Sequence, residues 1–222
     1  MYILYTSGTT GSPKGIVRDV GGTAVALNYS MKTIFNLNEK DVIFTTSDIG
    51  WVVGHSFMVY GPLLRGATTI LYEGKPVYTP NAKKYWDMIQ KYQVKCLFTS
   101  PSALRAIKKD DPEATFAKEY YLNCLESIHV AGERFDPDTL FWTEKCVGPQ
   151  ILINDNWWQT ETGWPICSNN LGITRFPTIP GSTCLPMPGY DVKIMEMTDI
   201  YANSVEKTES GSSGKFKLKK MF

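Results

Sequence analysis

Short apolar runs and longer amphipathic stretches alternate along this chain. Residues 2–5, 41–46, 67–72, 95–99, 125–131, 149–154 and 191–195 are apolar or β-rich and read as strands. The first of them, Tyr2-Ile3-Leu4-Tyr5, reads as a buried strand, and Ile16-Val17 as a short return strand. Between the runs, apolar positions recur at helical spacing. Residues 19–35 carry Val20, Ala24, Leu27, Met31 and Ile34, with Asp19 placed as an N-cap and Gly21-Gly22 weakening the first turn. Residues 56–64 read as a buried helix, and 81–92 as an amphipathic one with Tyr85, Met88 and Ile89 on one side. Helices are also predicted over 103–109, behind Pro101, and over 137–146.

Strands and helices of these lengths in alternation predict an α/β fold with a mostly parallel sheet flanked by helices. Such sheets bind ligands at the carboxyl ends of their strands. Polar or glycine-rich clusters follow predicted strands at 6–15, 48–55, 132–133 and 155–163, so the four are expected to converge on one site. Residues 177–189 are rich in Pro and Gly and read as a loop. From Glu196 the apolar period is lost, and 196–222 reads as a flexible tail. The expected organisation is one domain over 1–195 followed by that tail.

Bulk composition narrows the classes of function. The chain has 222 residues, 43% of them hydrophobic, and a net charge of +1, which gives no electrostatic case for nucleic acid or an anionic membrane surface. No apolar run approaches ~20 residues, and no secretory leader pattern opens the chain. Cys96, Cys124, Cys146, Cys167 and Cys184 are odd in number and widely spaced, which predicts buried free thiols rather than a disulfide frame or zinc site. Of the histidines, His55 and His129, neither carries a catalytic assignment, and His129 lies within a predicted strand.

Two stretches carry chemistry. Between Thr6 and Gly15 stand five hydroxyl residues, three glycines and Lys14. Glycines allow positive φ and close backbone approach, hydroxyls and amides donate, and a lysine adds a mobile cation, which together suit a polyphosphate. The spacing is not Gly-x-x-x-x-Gly-Lys-Ser/Thr, and a plain turn is the alternative. The second stretch is Asp155-Asn156-Trp157-Trp158-Gln159-Thr160-Glu161-Thr162-Gly163. Its tryptophans could be core residues; its Glu161 carboxylate could hold Mg²⁺.

Together, YTSGTTGSPKG, DIGWVVGHSFMVYGPLLRGATTILYEG, VAGE and DNWWQTETG, in this order, resemble the adenylate-forming superfamily, in particular its acetyl-/propionyl-CoA synthetase branch. The resemblance covers roughly residues 2–195. It implies that Thr6, Ser7, Gly8, Thr9, Thr10, Gly11 and Lys14 embrace the β- and γ-phosphates of ATP. Gly132, Glu133 and Arg134 would flank adenine, Asp155 to Thr160 would contact adenine and the α-phosphate, and Glu161 would be the Mg²⁺ ligand. Thr6, Lys14 and Glu161 would serve the chemistry directly. Trp51, Val52, Val53, Ala131 and Trp158 would line the acyl pocket, with Trp158 as its floor. The implied reaction joins a small carboxylic acid to ATP as acyl-AMP, then to coenzyme A. Ala131 stands where acetate-using relatives tend to carry valine, and Val53 replaces a threonine of theirs, so propionate is expected over acetate. The implied setting is intracellular, mitochondrial or cytoplasmic, although no targeting signal is present.

The chain also departs from the pattern. The ribose-binding aspartate, the phosphate-side arginines, the C-terminal catalytic lysine domain and most CoA-binding residues have no counterpart, so an inactive partial product is expected. The rival readings are a non-catalytic nucleotide-binding or interaction module, and an adenylation domain of the luciferase or peptide-synthetase type. A bulky tryptophan floor argues against the last two.

Overall fold

The computed structural model describes residues 1–8 and 11–194. The predicted tail at 196–222 lies outside them. Compactness divides the chain into Met1–Met187 and Pro188–Phe222. Of the second unit only 188–194 are described, and no strand runs through the described part of the predicted 191–195 run. A strand exists only where a ladder pairs its backbone, and none includes these residues.

In the first unit, five strands form one parallel sheet: β3 (Val42–Thr45), β4 (Thr68–Ile70), β5 (Cys96–Thr99), β6 (Ser127–Val130) and β7 (Leu152–Asp155), in the order β4-β3-β5-β6-β7. All four pairings are parallel. The expected α/β class is therefore correct. Parallel strands need crossovers, and helices supply them. Helix α4 (Lys84–Tyr92), helix α5 (Pro101–Asp110) and helix α6 (Pro137–Val147) each follow a strand or its loop. Ser100 and Asp136 cap α5 and α6 by accepting the N–H of Ala103 at 3.1 Å and of Thr139 at 2.8 Å. Pro101 and Pro137 then open the two helices, where a missing N–H costs nothing.

Strand side chains alternate between two buried layers. Phe44, Leu97, Ile128, Val130 and Ile153 join the core formed with Trp86, Ile89, Leu104 and Ile107 of α4 and α5. Phe98 and His129 point the other way, onto Phe35, which follows α1 (Gly21–Thr33). Phe57, in the helical segment after β3, closes on Phe35 at 4.8 Å. Burial on both faces explains why these strands read as continuous apolar runs rather than alternating ones.

Several expectations need correction. The helix predicted at 56–64 is a longer helical path: α2 (Val52–Gly54), a π-helical segment (His55–Tyr60) and α3 (Gly61–Arg65). The Phe57 and Met58 carbonyls in the widened segment accept hydroxyls from Thr45 and Thr69 of the sheet, at 2.7 and 2.8 Å. The N-cap of α1 is Val20 rather than the predicted Asp19, whose side chain nevertheless accepts the Gly22 N–H at 2.6 Å. The strand expected to be buried, β1 (Tyr2–Thr6), instead pairs antiparallel with β2 (Lys14–Arg18) in a separate two-stranded sheet. Its outward face is uncovered, with Ile3 58% and Tyr5 69% exposed. Within the predicted loop 177–189 lies the short strand β9 (Leu185–Pro186), which pairs antiparallel with β8 (Cys167–Ser168).

Ile128 is fully buried on the interior strand β6, whereas Val17 is 72% exposed. Urea unfolding should therefore show Ile128→Ala losing ~2–5 kcal/mol and Val17→Ala within ~0.5 kcal/mol of the parent. Equal losses would contradict the assignment of the core.

Candidate nucleotide and acyl site

The loop after Thr6 is the turn of the β1–β2 hairpin, not a crossover at a parallel strand end as expected. Thr6 and Lys14 are register partners at its mouth. Gly8 has φ +64°, and a Cβ there would stand 2.6 Å from the Ser12 carbonyl oxygen, so only glycine fits. The same Cβ position is 3.4 Å from the Lys14 stem, which places the stem over the loop backbone. Ser7, Gly11 and Lys14 are exposed to solvent. Thr9 and Thr10 lie outside the described residues.

The other three clusters do follow parallel strands: 48–55 after β3, 132–133 after β6 and 155–163 after β7. Hydrogen bonds draw them together with the hairpin. Arg18, the last residue of β2, donates to the Thr160 carbonyl and lies over the Trp164 ring at 5.6 Å. It fills the space beside Gly163, where a Cβ would be 2.9 Å from the guanidinium carbon. The Ser56 hydroxyl donates to the Gly163 carbonyl at 2.6 Å from the opposite element. Thr162 donates to the Gln159 carbonyl at 3.0 Å, which closes the turn around Thr160 and the exposed Glu161. At the base, the Phe135 N–H donates to Asp155 at 3.3 Å and the Asn156 N–H to the Val130 carbonyl at 2.9 Å. The loops after β6 and β7 are thereby joined.

Beneath them runs a buried polar seam. His129 and Asn154 are register partners. The Asn154 amide meets His129 Nδ1 at 3.2 Å and donates to Ser168 at 2.8 Å; Ser168 donates to Asn156 Oδ1 at 2.6 Å. Burial pushes the His129 ring down to about 3, with Asn156 opposing it, so the ring is neutral and structural. The Asn156 side chain is spent in this seam and in the Val130 carbonyl at 3.0 Å. A ligand would meet its backbone.

Of the predicted pocket residues, Trp158 packs against Phe57 at 5.3 Å between ring centres. Val52 is buried, Val53 and Ala131 are half-buried, and Trp51 is 67% exposed. Glu133 is engaged: Ser102 N–H donates to it at 2.8 Å, and the Ser102 hydroxyl and Arg105 also bind it. Arg134 is exposed. The residues that sequence reasoning missed are supports: Arg18, Ser56, Ser102, Arg105 and Ser168. The signals that could have found their neighbourhood are the Ser-Pro pair at 100–101 and the Asp-Pro pair at 136–137, which carry an N-cap pattern. A cavity of about 660 Å³ lies elsewhere, against Leu125, Glu126 and Ile151 before β6 and β7, at the far end of the sheet from these loops. A smaller one of about 220 Å³ flanks Asp155 and Thr178.

Among the described residues no three acidic, histidine or cysteine side chains gather as a metal cage. The donor set fits Mg²⁺ differently. Glu161 is a single exposed carboxylate next to Thr160, whose carbonyl Arg18 of the hairpin binds, and this ion commonly takes one or two carboxylates plus phosphate oxygens and water.

A model of the AMP-binding enzymes matches residues 1–212. The chain belongs to that family. Among its curated relatives, the mitochondrial acyl-CoA synthetase short-chain family member 3 of Bos taurus is 50% identical over 197 residues, covering 88% of the chain and 28% of the relative. The propionate–CoA ligase of Salmonella typhimurium is 48% identical over 193 residues, 87% of the chain and 30% of the ligase. The crystal structure of Brucella canis acyl-CoA synthetase superposes with a TM-score of 0.74 at 30% identity, covering 88% of this chain and 34% of that one. The chain thus spans about a third or less of these relatives. No described helix is long and apolar enough to cross a membrane.

Burial pushes the Asp155 carboxyl up to about 6, against backbone hydrogen bonds from Phe135 and Asn156 that pull it down. The folded form then holds a proton that the unfolded chain has lost, so this group's contribution falls as pH rises from about 4, the ordinary aspartate value, toward 6. Asp155→Asn should flatten that part of the melting-temperature profile. An unchanged slope between the two pH values would contradict the burial of an ionisable Asp155.

Proposed function

We propose that this chain forms the nucleotide- and acyl-binding part of an AMP-forming ligase that joins a short-chain carboxylic acid to coenzyme A. The adenylation unit would be residues 1–195. The observation that carries the reading is the joining of the hairpin and three strand-end loops through Arg18, Ser56 and Asp155. The relatives named for short-chain acyl-CoA synthesis and propionate–CoA ligation support it.

In this reading the acid's carboxylate oxygen attacks the α-phosphorus of ATP; a new P–O bond forms and pyrophosphate leaves. The thiolate of coenzyme A then attacks the acyl carbonyl and AMP departs. Such a site needs alignment and charge neutralisation more than acid–base groups. Thr6, Ser7, Gly8 and Lys14, with Thr9, Thr10 and Gly11, would hold the terminal phosphates. Gly132, Glu133, Arg134 and the backbone of 155–160 would hold adenine and the α-phosphate. Glu161 would hold Mg²⁺, which when bound neutralises phosphate charge. The neutral, buried His129 takes no part in proton transfer. The segments that relatives carry beyond the matched third would be needed for turnover, so binding is the activity assigned to this chain's own residues.

The acyl preference follows from volume. A half-buried alanine at 131 leaves room that a valine would fill, and one methylene is worth about 10–200-fold in discrimination. A non-hydrolysable mimic of propionyl-AMP should raise the melting temperature of the full chain more than the acetyl mimic does at equal concentration, because ligand stabilisation rises with the logarithm of affinity. Ala131→Val should erase or reverse the difference. Stabilisation by neither mimic would overturn the ligase reading, and equal stabilisation with no effect of Ala131→Val would overturn the propionate preference.

A further inference from the structure

Arg105, on the second turn of α5, is absent from the set of residues expected to bind anything. Its guanidinium nevertheless makes three contacts, two of them on the loop after β6 and one on its own helix. It binds the Glu133 carboxylate, reaches Asp136 at 3.1 Å, and donates to the Ser102 hydroxyl at 3.0 Å. Ser102 closes the figure by giving both its N–H, at 2.8 Å, and its hydroxyl to the other Glu133 oxygen. Glu133 is therefore gripped on both oxygens by one helix end. Asp136 is gripped as well, while its other oxygen caps α6 through the Thr139 N–H at 2.8 Å.

The span between these anchors is short. Val130 ends β6 and pairs with Asp155 of β7. Phe135 is buried, and its N–H donates to Asp155 at 3.3 Å. Residues 131–134 are thus fixed at one end by the sheet, at the other by Phe135 and Asp136, and in the middle by Glu133. Burial alone would raise the Glu133 carboxyl; the bonds from Ser102 and Arg105 outweigh it and hold the group below the usual range, so the grip is made to the carboxylate. A single exposed ion pair contributes little. A bidentate acceptor tied to a backbone N–H, a hydroxyl and a guanidinium shared with a second carboxylate is a different case, because the geometry is over-determined and Arg supplies a planar fork that Lys lacks.

We propose that Arg105 is a positioning residue for base recognition: through Glu133 and Asp136 it fixes the 132–134 backbone that flanks adenine, without touching the nucleotide. This rests on the assignment of an ATP site to this chain. Removing the guanidinium leaves two neighbouring carboxylates without their shared counter-charge, and the loop between them swings. Phosphate binding at the hairpin, built on a separate sheet, is untouched.

The test compares two ligands on the full chain. Calorimetric titration gives the affinity for Mg-ATP and for inorganic tripolyphosphate, which has the phosphates but no base, in the parent, Arg105→Ala and Arg105→Lys. Arg105→Ala should weaken ATP about tenfold, the scale of one charge-assisted hydrogen bond, and leave tripolyphosphate unchanged. Arg105→Lys should recover part of the loss, with melting temperatures of all three close together. Unchanged ATP affinity in Arg105→Ala overturns the positioning role. So does equal weakening of both ligands with a large fall in melting temperature, which marks a merely structural residue. A parent chain that binds neither ligand overturns the ATP site itself, and the positioning role with it.

Discussion

Parallel pairing of β3, β5, β6 and β7 sends four chain exits to one edge of the sheet. Crossover helices must return each strand to the opposite edge, so the loops at the exit edge are free of that task and can carry polar sequence. The hairpin β1–β2 has no place in this ladder. It is joined to the loops at that edge by Arg18, which takes the Thr160 carbonyl and fills the face of Gly163, and by Tyr2, which stacks on His55 at 4.6 Å, while Ser56 takes the Gly163 carbonyl from the far side. The loop 155–163 is the common anchor of hairpin, helical segment and sheet.

That anchor is held from below by polar rather than apolar contacts. His129, Asn154, Asn156 and Ser168 are all buried. Burying such groups is unfavourable unless their hydrogen bonds are satisfied. Here the amide and hydroxyl groups pair with one another: Asn154 donates to Ser168 and Asn156, and Ser168 donates to Asn156, while His129 Nε2 has no hydrogen-bond partner. Directional bonds specify where the chain leaves β7 more tightly than apolar packing would. The neutral His129 belongs to this support.

The alternation of layers was legible because both faces of the sheet are buried, which turns 95–99 and 125–131 into plain apolar runs. The exit-edge clusters were legible because glycine, hydroxyl and paired tryptophan sequences are unusual after a strand. Other features depend on partners distant in sequence. Nothing in Tyr2-Ile3-Leu4-Tyr5 distinguishes a buried strand from a hairpin with one bare face; that depends on what packs against Ile3 and Tyr5. The run near 191–195 looks like a strand by β-propensity, but a strand also needs a neighbour. The π-helical turn at His55–Tyr60 has no periodicity of its own, and Thr45 and Thr69, which take its carbonyls, lie on other elements. Arg18 and Arg105 look like ordinary surface cations until their carbonyl and carboxylate partners, 142 and 28 residues away, are brought beside them.

The central claim is that the hairpin turn and the loops after β6 and β7 form one nucleotide-binding face at the carboxyl edge of the sheet. Amide hydrogen exchange of the full chain, with and without Mg-ATP, tests it most directly. Simultaneous slowing is predicted at 6–15, 132–135 and 155–163, with no change at the opposite edge around Glu126, Gln150 and Arg175. Slowing confined to one of those loops, or centred on the opposite edge, would contradict it.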